Sequence, residues 1–118
     1  MRVYLDNCCY NRPYDDQSQL RISLESQAKL HVQGMIKDGE IQLASSYMLM
    51  YENSKNRSET KRRAIEQFVA NNTSVYIDET HSSEVENLAE TIAATGVKSA
   101  DAIHTACAIL TKSDYLLT

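Results

Sequence analysis

The sequence predicts an α/β domain built on a mostly parallel sheet. Short apolar runs (Val3–Leu5, Glu40–Ala44, Val75–Ile77 and Tyr115–Thr118) alternate with longer segments whose apolar residues recur at helical spacing. The resulting order is strand, helix, strand, helices, strand, helices, strand, the alternation of a wound α/β sheet. Residues 1–118 read as one domain, because no repeat, linker or shift in composition divides them and the length suits a single core.

Each element has a local reason. Val3–Leu5 ends at Asp6, and polar, turn-forming residues follow through Asp16. Leu20, Leu24, Ala28, Val32 and Met35/Ile36 mark one apolar face of a helix, and Gly39 supplies its stop. Ile41 and Leu43 alternate in a short strand, after which Ser45 or Ser46 caps a helix running through Glu52. Ser58 starts the next helix, with Ala64, Ile65, Phe68 and Val69 inward, until Asn71-Asn72 breaks it. Ser83-Glu84-Val85-Glu86 matches a capping box opening a helix whose apolar face is Val85, Leu88, Ala89, Ile92 and Ala93. Gly96 ends it, and Ser99 caps a last helix in which Ile103, Cys107 and Leu110 face the core.

Composition bounds the function. With 42% hydrophobic and 24% charged residues, and only 3 Gly and 1 Pro, the chain is neither disordered nor of low complexity. No apolar run reaches bilayer length, and the first residues lack the apolar stretch of a secretory signal. These features predict a cytoplasmic protein without a membrane partner. Three cysteines, with Cys8 beside Cys9, make no disulfide framework and fit the same reducing compartment. Sixteen acidic against twelve basic residues give a net charge of −4, the wrong sign for a protein that coats nucleic acid. Affinity for RNA would have to come from local patches and bound cations.

Three acids stand where a parallel sheet gathers ligands, outside the carboxyl ends of its strands. Asp6 directly follows the first strand, Asp101 lies in a helix first turn, and Glu52 lies two turns into the helix after the second strand. Carboxylate oxygens suit hard cations such as Mg²⁺ and Mn²⁺, which keep waters and leave positions for phosphate. Such an ion lowers the pKa of a bound water and stabilises the leaving oxygen of a phosphodiester. Each acid also has an ordinary reading: Asp6 as a turn residue or cap, Asp101 as compensation of the helix dipole, Glu52 as a solvated residue or partner of Lys55. The pattern alone therefore leaves metal binding open.

Val3-Tyr4-Leu5-Asp6-Asn7, Ser45-Ser46-Tyr47-Met48-Leu49-Met50-Tyr51-Glu52, Ser99-Ala100-Asp101-Ala102-Ile103-His104 and Asp114-Tyr115-Leu116-Leu117-Thr118 follow one another in order. Together, over nearly the whole chain, they resemble the PIN domain family, metal-dependent ribonucleases of which many are toxins of prokaryotic toxin–antitoxin pairs. The Ser-Ala-Asp-Ala-Ile-His stretch after a Gly-containing turn is the most specific piece. The resemblance implies a three-layer α/β/α fold, with Asp6, Glu52 and Asp101 as catalytic metal ligands for Mg²⁺ or Mn²⁺. It implies single-stranded RNA as substrate, with a protein antitoxin and a homodimer as partners. The family pattern continues beyond the fourth strand with a further Asp, a helix and a strand, whereas this chain stops at Thr118. The domain is thus expected to be C-terminally truncated relative to the family, to hold its metal weakly and to cleave slowly or not at all. Asp114 is not expected to replace the missing acid, since the strand places it near the opposite sheet edge.

Asn7, Arg12, Lys55 and Thr118 are candidate substrate contacts, and Arg57, Lys61, Arg62 and Arg63 add to the local basic supply. Tyr10 and Tyr14 flank Arg12, with packing against the next helix favoured over stacking on bases. His104, three residues after Asp101, reads by default as a packing or surface residue. His31, His81 and His104 share no ligand pattern with the cysteines, which argues against zinc. A nucleophilic Asp6 of the haloacid dehalogenase type would want a second Asp where Cys8 stands. The alternative to a nuclease is a noncatalytic RNA- or protein-binding module on the same fold, in which Asp6→Asn leaves the biological effect unchanged.

Overall fold

The computed structural model describes residues 1–118. Four strands, β1 (Arg2–Leu5), β2 (Gln42–Ser46), β3 (Thr73–Ile77) and β4 (Tyr115–Leu117), form one sheet of order β3-β2-β1-β4. Every pairing is parallel. Six helices surround it: α1 (Asn7–Asn11), α2 (Leu20–Lys37), α3 (Tyr47–Ser54), α4 (Glu59–Asn72), α5 (Ser82–Ala93) and α6 (Ser99–Leu110). The α/β class and the mostly parallel sheet predicted from sequence are the observed ones. No helix is long and apolar enough to cross a membrane.

The pleat of β1 sorts the core into two layers. Val3 and Leu5 point to a cluster with Leu43, Cys9, Tyr10, Ile36, Leu49, Ile65 and Val69, so α1, α2, α3 and α4 contribute to that face. Tyr4 points the other way, into a cluster with Ala44, Val85, Ala89, Ala102, Ala106 and Cys107 beneath α5 and α6. Small residues dominate the second layer, which lets α6 lie close to the sheet. The result is three layers, α/β/α.

Four local expectations are corrected. Residues 7–14, read as turn-forming, contain α1 and a 3₁₀ turn at Arg12–Tyr14. Asp6 nucleates α1 by accepting the Cys8 N–H at 3.0 Å. Ser83 does not open α5: the helix begins at Ser82 behind a 3₁₀ turn whose cap is Asp78, bonded to the Thr80 N–H at 3.0 Å. Ser99 is the first residue of α6, not its cap, and Lys98 precedes it without a side-chain capping bond. Finally, Leu20, Leu24 and Ala28 are exposed, so the apolar stripe of α2 meets the core only near Ile36, with Val32 and Met35 partly buried. The other boundaries follow the sequence closely, including the Ser46 cap of α3 (Leu49 N–H to Oγ, 3.2 Å) and the Ser58 cap of α4.

The winding positions the site. Successive strands β1, β2 and β3 step in one direction, and the connection through α5 and α6 then returns to place β4 on the other side of β1. The winding therefore reverses between β1 and β4, the point in an open parallel sheet where a crevice forms beyond the strand ends. The backbone passes directly into it: the Asp6 N–H donates to the Leu117 carbonyl at 3.1 Å.

Candidate functional site

At that reversal lies an open pocket of about 250 Å³ lined by Asp6, Asn7, Cys8, Asn11, Glu52, Ala100, Asp101 and His104. All three acids singled out in the sequence face it, brought from the end of β1, from α3 and from the first turn of α6. Of the candidate substrate contacts, only Asn7 lines it.

Asp6 is 9% exposed. Burial raises its carboxyl above the ordinary carboxylate range, opposed by the Cys8 N–H it accepts and by His104 nearby. Asp101 is exposed, and its place in the first turn of α6 sets it in the partial positive charge of the helix N-terminus. Glu52 is partly buried and accepts a hydrogen bond on Oε1 from His104 Nε2.

His104, read by default as a packing or surface residue, packs inward and also lines the pocket. It is buried, 6% exposed, and joins Glu52 to the core. Its Nδ1 lies 2.7 Å from the Tyr4 hydroxyl, which lies 2.6 Å from Ser46 Oγ. Tyr4 is fully buried, and desolvation pushes its phenol far above the usual range, so it is held as O–H. The signal available in the sequence was the spacing of His104 three residues after Asp101 and the inward pleat position of Tyr4. Neither reveals the partner across the sheet.

The remaining candidates lie elsewhere. Arg12 pairs with Asp15 at 3.2 Å and Glu25 at 3.1 Å, which engages its guanidinium away from the pocket. Lys55 places Nζ 4.5 Å from the Tyr51 ring centroid on the exposed side of α3. Thr118 borders a separate apolar pocket with Leu5, Cys9 and Leu117, and its carbonyl accepts from Lys29 Nζ at 3.2 Å. Tyr10 is buried with its ring against Phe68 of α4 rather than on the next helix in sequence, while Tyr14 is exposed with Lys61 Nζ 5.7 Å from its ring centroid. Asp114 accepts the Arg2 N–H at 2.8 Å, at the opposite end of β1 from Asp6.

Asp6, Glu52 and Asp101 line the pocket and carry the oxygen donors that a hard divalent cation takes, and Asn7 Oδ1 is buried without a hydrogen-bond partner. No three His, Cys, Asp or Glu side chains are gathered tightly enough to hold an ion as they stand. Cys8, exposed at the pocket, has its thiol raised above the usual range by partial desolvation and by the neighbouring Asp6.

Comparison with protein families, curated proteins and solved structures finds no match to this chain. The chemistry of the pocket rests on its own residues.

Proposed function

We propose that the chain is a PIN-type, Mg²⁺- or Mn²⁺-dependent endoribonuclease acting on single-stranded RNA. The observation that supports this is the convergence of Asp6, Glu52 and Asp101, from three distant segments, on one pocket at the reversal of the sheet. Asp6, Asp101 and the Glu52 oxygen not bonded to His104 would hold the cation. When bound, a divalent ion supplies an activated water and charge neutralisation at a phosphodiester. The chain's own residues contribute the rest. Burial of Asp6 weakens competition from water for its carboxylate, the Cys8 N–H fixes one of its oxygens, and the open pocket wall admits a backbone phosphate. Lys55, Arg57 and Arg63, all exposed, belong to the basic stretch that follows Glu52 and would meet the flanking phosphates. Placement in toxin–antitoxin biology, with an antitoxin or a second copy as partner, is part of the same proposal.

The test is cleavage of an unstructured RNA by the wild type and by Asp6→Asn, Glu52→Gln and Asp101→Asn in Mn²⁺, with EDTA as control. Loss of at least ~100-fold in rate for each variant is expected, the scale of a metal site deprived of a ligand. Equal rates in the wild type and all three variants would sink it. The second reading, a noncatalytic RNA- or protein-binding module, is favoured by one observation: Glu52 is already bonded to His104 and the acids are not gathered on one point. It predicts RNA or protein binding unchanged by EDTA and by Asp6→Asn.

A further inference from the structure

Strand β3 is an edge of the sheet: it pairs with β2 on one side and with no strand on the other. Such an edge presents a row of unpaired N–H and C=O groups, which sequences often blunt with Lys, Pro or an inward charge. The run Thr73-Ser74-Val75-Tyr76-Ile77 has none of these. Its one protective device is a bulge, since Leu43 pairs with Thr73 and Ala44 with Val75, leaving Ser74 as an extra residue. Beyond the bulge, Val75–Ile77 run in regular register with Ala44–Ser46. The same edge has an open cavity on each face of the sheet. Towards α5 and α6, Val75, Ile77 and Leu110 line about 190 Å³. Towards α3 and α4, Met50, Val69 and Ala70 line about 370 Å³. Tyr76 borders both and is 48% exposed.

The rim of this edge is acidic. Glu84 lines the first cavity and Glu66 the second, and no Lys or Arg lines either. The one basic group in the lining is His81, whose Nδ1 stands 3.4 Å from Glu84 Oε1. Between Arg63 and Lys98 the chain carries Glu66, Asp78, Glu79, Glu84, Glu86 and Glu90 and no Lys or Arg. We propose that the β3 edge docks an extended segment of another protein, apolar along its middle and flanked by Lys or Arg. The unpaired backbone would take the ladder bonds of an added strand. Its side chains alternate between faces, so they would enter the two cavities in turn, while its flanking cations meet the acidic rim. A second copy fits worse. Pairing β3 with β3 would bring Glu66, Asp78, Glu79 and Glu84 of both copies to one seam, and like charges across a seam oppose pairing. The same acids repel RNA. Strand β2 separates this edge from β1, so the proposal is independent of the nuclease reading.

The experiment is ¹⁵N–¹H NMR of the full chain titrated with the synthetic peptide acetyl-Lys-Lys-Val-Ile-Val-Thr-Val-Lys-Lys-amide, and with its twin carrying Glu for every Lys. The Lys peptide should shift the Val75, Tyr76 and Ile77 amides saturably, with a Kd below about 1 mM, and the Glu twin should not. Tyr76→Lys, which puts a cation between the cavities, should weaken the Lys peptide by at least ~10-fold, as should the double variant Glu66→Lys with Glu84→Lys. If Tyr76→Lys does not fold, the double variant decides. No shift at β3, equal binding of the two peptides, or unchanged affinity in the folded variants overturns the proposal. A concentration-dependent dimer in sedimentation that Tyr76→Lys abolishes would assign the edge to a second copy and overturn it as well. Single-stranded RNA shifting the same amides would do the same.

Discussion

At the scale of single residues, Asp6 carries two opposed demands. It caps α1, which stabilises the fold, and it is buried enough that its carboxyl titrates above the ordinary value of 3.8. A raised folded-state pKa means that stability is present in full below the ordinary value and is lost as pH rises through the raised one. Ionised Asp6 is therefore a cost to the metal-free fold at neutral pH. Asn caps helices about as well as Asp, so Asp6→Asn should keep α1 and shed that cost. In EDTA, its melting temperature at pH 7 should exceed that of the wild type, and the difference should vanish near pH 3. A variant that melts lower at pH 7 would show that the carboxylate is a net stabiliser. Asp6 was legible in the sequence because an acid after a strand has few places to go. His104 was not, because its role depends on Tyr4 and Glu52, residues 100 and 52 positions away.

At the scale of elements, two helices end in the same way with different residues. After α2, the Gly39 N–H bonds to Ile36 O and the Glu40 N–H to Met35 O; after α6, the Lys112 N–H bonds to Ile109 O and the Ser113 N–H to Ala108 O. Both are Schellman endings, which place one residue in the left-handed region. Gly39 sits there at φ 78° and Lys112 at φ 55°. A side chain costs roughly 1–2 kcal/mol in that conformation. Gly39→Ala should therefore lower stability by about 1 kcal/mol, and Lys112→Gly should be neutral or raise it by up to about 1 kcal/mol once glycine's larger unfolded-state entropy is subtracted. Urea midpoints of the two variants check the pair, and a loss at Lys112→Gly would contradict the argument. Gly39 announces this ending in the sequence; Lys112 does not. The same limit explains Ser83 and Ser99, which carry the right side chains for caps but stand inside helices that begin at Ser82 and Ser99.

At the scale of the whole molecule, the two core clusters are separated by a single sheet and are joined through alternate residues of the same strands. Leu43 and Ala44 are both fully buried and point to opposite layers. Neither layer can keep its strands once the other is lost, so unfolding should be one cooperative transition. Leu43→Ala removes a buried side chain from one layer only and should cost about 2–5 kcal/mol. Far-UV circular dichroism and the fluorescence of the seven tyrosines, among them Tyr10 in one layer and Tyr4 in the other, should shift by the same amount. Two separated transitions would show the layers to be independent.

The sequence by itself determined the class of fold, the strands that carry it, the starts of α2, α3 and α4, and the three acids. These are encoded locally: apolar period, turn residues and an acid at a strand end need no distant partner to be read. Tertiary structure alone decided which way the sheet winds, that the first half of the α2 stripe stays exposed, that Arg12 is engaged by Asp15 and Glu25, and that Tyr4, Ser46 and His104 meet. Each of these depends on contacts between segments far apart in the chain. Periodicity shows that a residue has a side to turn inward, and only the packed neighbour fixes what it meets there.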